Sequence, residues 1–384
     1  MSEAFSSLGR KLRLGLVGGG PGSMIGPVHR LAATLDGRFE LVAGVLSSAP
    51  ERAREAAEAL GLAGFASLEA MLAGAKLDAV AVMTPNDRHF AECRAVLQAG
   101  LHVICDKPLT NTLAEARTLA ALAEERRLVL CLTHVYAAYP MIRQARAMVA
   151  AGAIGALRAI QVEYLQAGMS RPVEQGELTP KLRWKLDTRQ SGPSLVLGDI
   201  GTHAHHLASF VAGLAVRRLA ADLGAVMPGR SVDDYACMLL RFEGGIHGTL
   251  FCSQALAGTE NQITVRVFGE TGHLEWTHER PNHLKFALQG KAVQTLARGD
   301  ADLLPASARL TRIARGHPEG YFEAFANLYR DAAEAIAARL TGRPADPLAL
   351  DFPTAADGVA GLAFVEAALA SRAADGGWVD VQTG

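Results

Sequence analysis

The second half of the chain brings together a carboxylate and a group of imidazoles. Asp199 follows a Gly/Pro/Ser-rich loop and opens an apolar segment that ends near Gly213, with His203 and His206 four and seven residues further on. A helix through this segment places these three side chains on one face. A carboxylate one turn from an imidazole can fix its tautomer, and histidine titrates near neutral pH. The pattern therefore favours removal of a proton from an alcohol.

Two other interpretations use the same residues. A metal ion would need further ligands, but no cysteine stands near Asp199. The imidazoles could instead be core side chains with satisfied hydrogen bonds, although three histidines within four positions are costly to bury without a function. We therefore favour acid–base chemistry centred on Asp199 and His203, and we expect no metal.

Two further turns carry polar side chains at the ends of apolar runs. One holds Asp106 and Lys107 before a proline, and the other is Thr84-Pro85-Asn86 with a histidine at position 89. In open α/β sheets the ligand crevice lies at the carboxyl ends of the strands, so both turns are expected to face a cofactor. The alternative for Lys107 is an ordinary surface charge. The candidate cofactor-binding residues of these turns are Thr84, Pro85, Asn86, His89, Asp106 and Lys107.

A glycine-rich segment follows the first apolar run. Its sequence from residue 18 to 26 is GGGPGSMIG. Such a loop lets the backbone approach a pyrophosphate, and the N-terminus of a following helix supplies N–H groups and a positive dipole. Ser23 stands where the fingerprint has its third glycine and Gly26 is the next candidate, so the loop looks three residues longer than usual. The candidate cofactor-binding residues here are Gly18, Gly20, Pro21, Gly22, Ser23 and Ile25.

The second apolar run lacks the acidic residue that usually holds the adenosine ribose. Ser47 stands there instead. Serine does not repel a 2′-phosphate, and Arg52 in the next helix could pair with one. These two candidate cofactor-binding residues allow NADP and modestly favour it, unless Arg52 is simply a solvated helix charge.

Hydrophobic patterning indicates the elements that carry the first group of residues. Up to residue 133, apolar runs at 12–17, 40–46, 78–83, 101–105 and 128–133 alternate with alanine-rich helical segments such as 49–60 and 113–125. Thr112 and Glu115 form a capping box before the second of these segments. The alternation predicts a doubly wound parallel sheet.

The pattern changes after Pro140. A helix to about residue 151 and a strand at 157–166 are followed by strands at 232–242, 245–254 and 261–268, with no helix-length spacer between the last three. Successive strands form hairpins, which predicts an antiparallel or mixed sheet and a domain boundary near residue 136. Helices at 319–340 and 354–373 close the chain and are expected to pack on one of the sheets.

Length and composition limit the partners. The 384 residues suggest two domains. Lys plus Arg number 38 against 39 Asp plus Glu, so we expect neither nucleic acid nor a membrane as a partner and favour a small, weakly charged ligand. No signal peptide or membrane span is evident. Five dispersed cysteines are expected to be buried in a reducing compartment, the cytoplasm: Cys93, Cys105, Cys131, Cys237 and Cys252.

Together these motifs resemble those of the glucose-fructose oxidoreductase and inositol dehydrogenase (Gfo/Idh/MocA) family, from the glycine loop to a closing Gly-Gly-Trp-Val. The resemblance implies an α/β fold with an N-terminal Rossmann dinucleotide-binding domain at 10–136. It also implies a C-terminal α/β domain at 137–384 with a large open, mostly antiparallel sheet, whose closing helices could pack back on the first domain. Such sheets often serve oligomerisation, so a homo-oligomer, a dimer or tetramer, is expected. The implied activity is NAD- or NADP-dependent oxidation or reduction of cyclic sugars and polyols.

The resemblance also assigns roles. Lys107 matches a lysine that hydrogen-bonds the reacting hydroxyl, His203 a general acid/base, and Asp199 its partner; these three are the catalytic candidates. Trp184 and Lys185 match a Trp-Arg pair near the substrate. The expected substrate-binding residues are Lys107, Tyr164, Gln166, Trp184, Lys185, Asp199, His203 and His206.

Three positions depart from the family pattern. Asp106 replaces a glutamate, Lys185 replaces an arginine and so lacks its bidentate fork, and His206 stands where aspartate is frequent. The segments 164–166 and 191–203 look closest to members that act on levoglucosan-like or inositol-like rings.

The resulting hypothesis is reversible hydride transfer between a ring carbinol carbon and a nicotinamide. His203 takes the hydroxyl proton, Asp199 orients it, and Lys107 stabilises the alkoxide charge. Two alternatives stay open: redox-neutral, NAD-dependent glycoside cleavage, and a non-catalytic dinucleotide-binding regulatory protein.

Overall fold

The computed structural model describes residues 3–175 and 177–382. The chain divides into two compact units. The first is formed by the chain up to Ala138 together with Tyr321–Val359, and the second by Tyr139–Gly320 together with the chain from Ala360 onward.

In chain order, the strands are β1 (Leu12–Gly18), β2 (Phe39–Val45), β3 (Ala63–Gly64), β4 (Ala79–Met83), β5 (His102–Cys105), β6 (Leu130–Leu132), β7 (Leu157–Gln166), β8 (Val216–Gly224), β9 (Tyr235–Phe242), β10 (His247–Ser253), β11 (Asn261–Gly269), β12 (Gly272–Thr277), β13 (His283–Leu288), β14 (Gln294–Ala297) and β15 (Val379–Asp380). The helices are α1 (Glu3–Leu8), α2 (Ile25–Leu35), α3 (Pro50–Glu58), α4 (Leu68–Gly74), α5 (Asn86–Gln98), α6 (Leu113–Glu125), α7 (Pro140–Ala150), α8 (Pro180–Leu186), α9 (Thr188–Ser191), α10 (Thr202–Ala212), α11 (Pro305–Ala308), α12 (Tyr321–Thr341) and α13 (Ala355–Ala373). Short 3₁₀ turns cover Val135–Ala138, Val173–Gln175 and Pro347–Ala349, and a π-helical turn covers Leu197–Gly201.

The first unit contains a six-stranded parallel sheet in the order β3-β2-β1-β4-β5-β6. Its central strand β4 is buried along its whole length, as expected for a parallel sheet covered on both faces. The predicted doubly wound sheet is confirmed, and each predicted apolar run contains a strand. The sequence missed the two-residue β3 and the short helix α4, both of which are too short to show a hydrophobic period.

Helix caps in this unit follow from residue type. The Thr112 hydroxyl accepts a hydrogen bond from the backbone N–H of Glu115 at 3.3 Å and begins α6, as its position in the sequence predicted. α12 packs on α2, where the buried His29 ring lies 2.7 Å from the Tyr329 hydroxyl. Burial lowers the pKa of His29 to about 4, although the negative charge of Asp106 acts in the opposite direction and raises this pKa.

The second unit contains a nine-stranded sheet in the order β14-β13-β12-β11-β7-β10-β9-β8-β15. β7 and β10 pair in parallel, and the other strand pairs of this sheet are antiparallel. The expected large, mostly antiparallel sheet is confirmed. The strands of the hairpin around Gly244 and Gly245 match their predicted positions, whereas β8 and β12 to β15 were not predicted.

Three further findings concern whole residue classes. Cys93, Cys105, Cys131 and Cys252 are buried, but Cys237 is exposed, so its predicted burial is wrong: it points outward from β9, opposite the buried side chains of that strand. No helix among the described residues has the length and apolar character needed to cross a membrane. Within residues 3–175 and 177–382, no group of three His, Cys, Asp or Glu side chains is placed to hold a metal ion.

Candidate active site

Three adjacent strands of the nine-stranded sheet bring amide side chains to one end. β7 ends at Gln166, Gln254 directly follows β10, and β11 begins at Asn261. The register pairs Asn261 with Gln166 across β11 and β7, and pairs Ser253 with Leu165 across β10 and β7. Because β7 and β10 run parallel and β11 is antiparallel to β7, the end of β7, the end of β10 and the start of β11 lie at the same end of the strands, and the three amides meet there.

These amides form a continuous hydrogen-bonded chain with a tyrosine. Gln254 Nε2 donates to Gln166 Oε1 at 3.1 Å, and Gln166 Nε2 donates to Asn261 Oδ1 at 2.6 Å. The Tyr164 hydroxyl donates to the same Asn261 oxygen at 2.8 Å. Two of the predicted substrate-side residues, Tyr164 and Gln166, therefore belong to one network.

Asp199 connects this network to a cation. Its Oδ2 accepts a hydrogen bond from Gln254 Nε2 at 2.7 Å and also one from Lys185 Nζ. The Lys185 side chain is 16% exposed and the Asp199 side chain 22%, so this ion pair is largely shielded from water. The predicted residues Lys185 and Asp199 are direct partners.

The segment around Asp199 differs from the expected regular helix. Residues Leu197–Gly201 form a π-helical turn, and the α-helix begins at Thr202. Gly198 and Gly201 lie within this wide turn, and such turns occur frequently at functional sites. The helix ends at Ala212 with Gly213 in a left-handed conformation at φ +67°, close to the predicted end.

The two candidate histidines of α10 have different surroundings. His203 is 8% exposed and meets the Tyr164 ring edge-on, with the ring centroids 6.3 Å apart. His206 instead stacks on Phe210 at 5.7 Å, and the guanidinium groups of Arg143 and Arg146 lie over the same Phe210 ring. His203 is thus the histidine in contact with the network. Trp184 is half-buried on α8, next to Lys185.

The first unit carries the glycine loop between β1 and α2. A Cβ on Gly20 would lie 1.8 Å from the Leu46 carbonyl oxygen, so only glycine fits there. A Cβ on Gly26 would lie 1.9 Å from the Gly19 carbonyl oxygen. Gly26 therefore provides the close packing of helix on strand that the third fingerprint glycine provides elsewhere. Ser23 donates its N–H to the Gly20 carbonyl and accepts the Gly26 N–H on its hydroxyl.

The remaining candidates of the loop lie around its outer end. Pro21 and Gly22 are exposed, and Ile25 is the first residue of α2. Beyond the second strand, the Ser47 hydroxyl accepts the Ala49 N–H at 3.2 Å, and Arg52 is exposed in the first turn of α3.

A buried histidine joins the two predicted cofactor turns of this unit. His89 Nδ1 lies 2.8 Å from the Pro108 carbonyl oxygen, and its Nε2 lies 2.8 Å from the Thr84 carbonyl oxygen. The Thr84 hydroxyl donates to Glu92 at 2.6 Å. Pro85 occupies the N-cap position of α5 without a side-chain hydrogen bond, and the first residue of α5 is the buried Asn86. The structure therefore brings the turn after β4 and the turn after β5 together.

Asp106, whose side chain is one methylene shorter than the glutamate of the family pattern, holds the turn that carries Lys107. Its Oδ1 accepts the Lys107 backbone N–H at 3.1 Å and the Thr133 hydroxyl at 2.6 Å. Lys107 itself is half-buried. Thr133 follows β6 and was not a predicted site residue, as was also the case for Gln254 and Asn261. Each of these three is a polar residue at the boundary of an apolar run, which is the one signal the sequence offers.

Comparison with known proteins identifies the family. Residues 12–134 match the family described as an oxidoreductase family with an NAD-binding Rossmann fold, and residues 142–275 match the GFO/IDH/MocA C-terminal domain. The uncharacterized oxidoreductase YfiI of Bacillus subtilis is 32% identical over 97% of this chain and 98% of that protein. The chain belongs to the Gfo/Idh/MocA family.

Two other proteins similar to this chain are named for a substrate or were solved with a ligand. Levoglucosan dehydrogenase of Pseudarthrobacter phenanthrenivorans is 28% identical over 72% of this chain and 76% of that protein. The inositol dehydrogenase homolog of Azotobacter vinelandii, solved with NADH and myo-inositol, is 38% identical with a TM-score of 0.88, and the match covers 97% of this chain and 98% of that one.

The glycine loop of this Gfo/Idh/MocA chain fits a dinucleotide. A Cβ on Gly22 would meet nothing within 4 Å, so there is open space beside this part of the loop. Gly20 lets the backbone of the loop approach the Leu46 carbonyl, directly after β2. The first N–H groups of α2 provide donors and a positive dipole for a pyrophosphate. Residues 12–134 form an NAD-binding Rossmann fold, the fold that the sequence predicted for this part of the chain.

Proposed function

We propose that this protein is an NAD-dependent oxidoreductase that moves a hydride between its cofactor and a carbinol or keto carbon of a neutral cyclic polyol or sugar, of the inositol or levoglucosan type. The observation that carries the proposal is the network in which Asp199 binds both Lys185 and Gln254, with His203 packed on the tyrosine of the same network. The relatives named for levoglucosan and for inositol support the substrate class.

The charges of the network support a neutral substrate. Lys185 and Asp199 neutralise each other, and the other members are amides and a tyrosine. A phosphate or carboxylate on the substrate would find no uncompensated cation among these side chains, whereas hydroxyl groups can both donate to and accept from amides and a carboxylate.

Each unit contributes its own proposed roles. In the second unit, His203 is the general acid/base that takes or returns the hydroxyl proton, and Asp199 is the carboxylate one turn before it. Tyr164, Gln166, Trp184 and Lys185 bind the ring. His206, packed on Phe210, is proposed as a more distant contributor.

In the first unit, Lys107 is the donor that stabilises negative charge on the substrate oxygen, on a turn that Asp106 and Thr133 hold in place. The glycine loop, Ile25, Ser47, Arg52 and the turn from Thr84 to His89 would hold the dinucleotide, which supplies the hydride acceptor in oxidation and the hydride donor in reduction. Because no carboxylate follows β2, we expect NADP to bind as well, with Arg52→Glu weakening NADP more than NAD.

Cofactor titration and turnover test the proposal. Purified protein is titrated with NAD(H) and NADP(H), and the reduced-nicotinamide absorbance is then followed with inositols, levoglucosan and other cyclic sugars. Growth of this absorbance with a ring polyol supports the proposal. Product release without net NADH would favour redox-neutral glycoside cleavage, and cofactor binding without any turnover would favour a regulatory protein.

We also propose a cytoplasmic homo-oligomer, a dimer or tetramer assembled through the outer face of the nine-stranded sheet. On this face the 51%-exposed Leu239 and the exposed Cys237 of β9 pair with Thr249 and Phe251 of β10, which leaves an apolar patch. Light scattering of wild type and Leu239→Glu tests this: the variant should show the smaller mass.

A further inference from the structure

A basic cavity lies in the first unit, at the amino ends of β5 and β6. It has a volume of about 1130 Å³, and all of its lining residues belong to this unit. The first residues of β5 and β6, the last turns of α6 and α12 and the first residues of α13 form its wall. Because the turns that carry the cofactor candidates follow the carboxyl ends of β4 and β5, a ligand in this cavity would not compete with the dinucleotide.

Arginine side chains give the basic cavity its charge. The four that line it are Arg126, Arg127, Arg339 and Arg343. One carboxylate, that of Glu124, lines it as well. Arg343 pairs with the exposed Glu3 at 3.3 Å, whereas the other three arginines have no ion pair or hydrogen-bond acceptor among the residues that the structure describes. An excess of unpaired cations in a concave site raises the local concentration of anions.

The backbone at Arg127 supports a role for its side chain. Arg127 takes the left-handed conformation after α6, with φ +53°, and its N–H and that of Leu128 donate to the carbonyls of Glu124 and Ala123. Glycine is the usual residue in this position, as at Gly100 after α5 with φ +78°. The chain therefore places a cation at the cavity where glycine would be more stable.

A buried histidine supplies a hydrogen-bond donor to the basic cavity. His102 lines the cavity although it is only 3% exposed. Its Nδ1 accepts the Val129 N–H at 2.9 Å, and burial lowers its pKa to about 4, so the ring is neutral and carries its proton on Nε2. Within the described part of the chain no acceptor binds this N–H, and Nε2 keeps accessible surface. An acceptor that arrives with a ligand would satisfy it.

The N-terminus of α13 adds backbone donors to the same wall. Thr354 precedes α13, and Ala355 and Ala356 are its first residues; all three line the cavity. The Thr354 N–H donates to the Asp357 carboxylate at 2.7 Å, whereas the first N–H groups of a helix have no partner within the helix and form the positive end of its dipole. The helix N-terminus, the imidazole N–H and the unpaired arginines all favour an anion.

We propose that the basic cavity is a second ligand site, which binds an organic polyanion with several phosphate or carboxylate groups. Arg126, Arg127 and Arg339 pair with these groups, and His102 Nε2 donates to one of the anionic oxygens. The apolar part of the ligand packs on two leucines of the same lining that are about half exposed, Leu340 and Leu350. This site does not depend on the proposed function.

Binding to NADH-saturated protein tests the proposal, because NADH then occupies the dinucleotide site and its fluorescence shows that it stays bound. Tripolyphosphate, ATP and citrate are titrated by calorimetry into wild type, Arg127→Gln, Arg339→Gln and the matched control Arg54→Gln, an exposed arginine of α3 that does not line the cavity. At least one of the three anions should bind wild type and the control equally. Each cavity variant should bind that anion at least about 10-fold more weakly, because charge-assisted hydrogen bonds are lost.

His102→Asn separates the imidazole donor from the arginines. Asparagine keeps an acceptor for the Val129 N–H but has no group in place of Nε2, so it should weaken binding of the same anion by about 5-fold or more. Thermal unfolding checks the fold of this variant, and the exposed arginine variants keep the test decisive if it does not fold.

Two results would overturn the proposal. One is that none of the three anions binds wild type at millimolar concentration. The other is that the affinity is equal in wild type and the arginine variants of the cavity, or falls as much in Arg54→Gln, since the anion would then respond to overall charge. Tighter binding of ATP than of tripolyphosphate would support the site and identify a nucleotide, and tighter binding of citrate would support it and identify a polycarboxylate.

Discussion

Replacement of Lys185 by methionine tests the ion pair that organises the second-unit network. Methionine keeps the length of the side chain but removes the cation from Asp199, whose Oδ2 also accepts a hydrogen bond from the Gln254 amide. Breaking a buried pair costs about 3–5 kcal/mol, whereas a surface pair is worth about 0–1 kcal/mol. With side-chain exposures of 16% and 22%, we expect a loss between these limits, about 1.5–3 kcal/mol.

That loss is expected in the free energy of unfolding; a loss of the same size in transition-state binding would lower kcat/KM by about 10- to 150-fold, since each 1.36 kcal/mol is a factor of ten. Asp199 would be freed to turn toward other donors, which would weaken its hydrogen bond with the Gln254 amide. The assay is initial-rate oxidation of the best ring polyol at saturating NAD, with thermal unfolding as a check of the fold. Lys185→Arg keeps the cation and should stay within about 5-fold of wild type. Equal kcat/KM for Lys185→Met and wild type would refute this account of the ion pair.

Three further predictions concern the first unit. Gly20→Ala should weaken NAD binding at least about 10-fold in a calorimetric titration, because its Cβ would lie 1.8 Å from the Leu46 carbonyl oxygen. The control Gly224→Ala, where a Cβ meets nothing within 4 Å, should bind NAD like wild type. Equal NAD affinities of Gly20→Ala and wild type would contradict the proposed role of the glycine loop in cofactor binding. Thr133→Val should lower kcat by about 10-fold with little change in NAD affinity, because the Asp106 carboxylate loses its 2.6 Å donor, and Thr133→Ser should restore kcat; a wild-type kcat in the valine variant would speak against this role of Asp106. His29 has its pKa lowered by burial from 6.5 to about 4, so the unfolded chain binds the extra proton first, and the stability present above about pH 6.5 is lost as the pH falls toward 4. Between pH 7.5 and 5.0 the free energy of unfolding, measured in urea, should fall by about 2 kcal/mol more in wild type than in His29→Gln, and parallel pH dependences would show that His29 is not buried as a neutral ring.

Hydrophobic patterning predicted the first sheet well because its inner strands, such as β4 and β5, are buried on both faces. β4 is a continuous apolar run, β1 and β5 are apolar apart from Arg13 and His102, and the turns after these strands carry the polar residues that were selected as candidates. The Gly26 position was recognised as the next glycine, but only the structure shows that it packs on Gly19. That contact depends on the path of the loop, which the spacing of glycines does not specify.

The second-unit network could be predicted only in part. Asp199 and His203 were found from their residue types and spacing, which is local information. Gln254 and Asn261 were missed because their role depends on the strand order β11-β7-β10. This order brings residues that are far apart in the sequence to the same end of neighbouring strands. Lys185 was selected as a candidate only through the family resemblance. Its pairing with Asp199 became visible only in the structure.

Cys237 shows a limit of composition. A cysteine is among the most frequently buried residues, but on a sheet strand its exposure is decided by the alternation of faces. Cys237 lies between the buried Ala236 and Met238 and therefore points outward. The alternation was visible in the sequence, whereas which face of β9 is covered was not.

The measurement that tests the central claim most directly is NAD reduction by a ring polyol in wild type, Lys107→Ala and His203→Ala, with cofactor affinity measured on the same samples. The proposed function predicts NADH formation by wild type and a loss of at least about 100-fold in kcat in each variant, with NAD affinity changed by less than about 5-fold. Undiminished turnover in either variant, or wild-type protein that binds NAD and reduces none of it with any ring polyol, would contradict the proposed function.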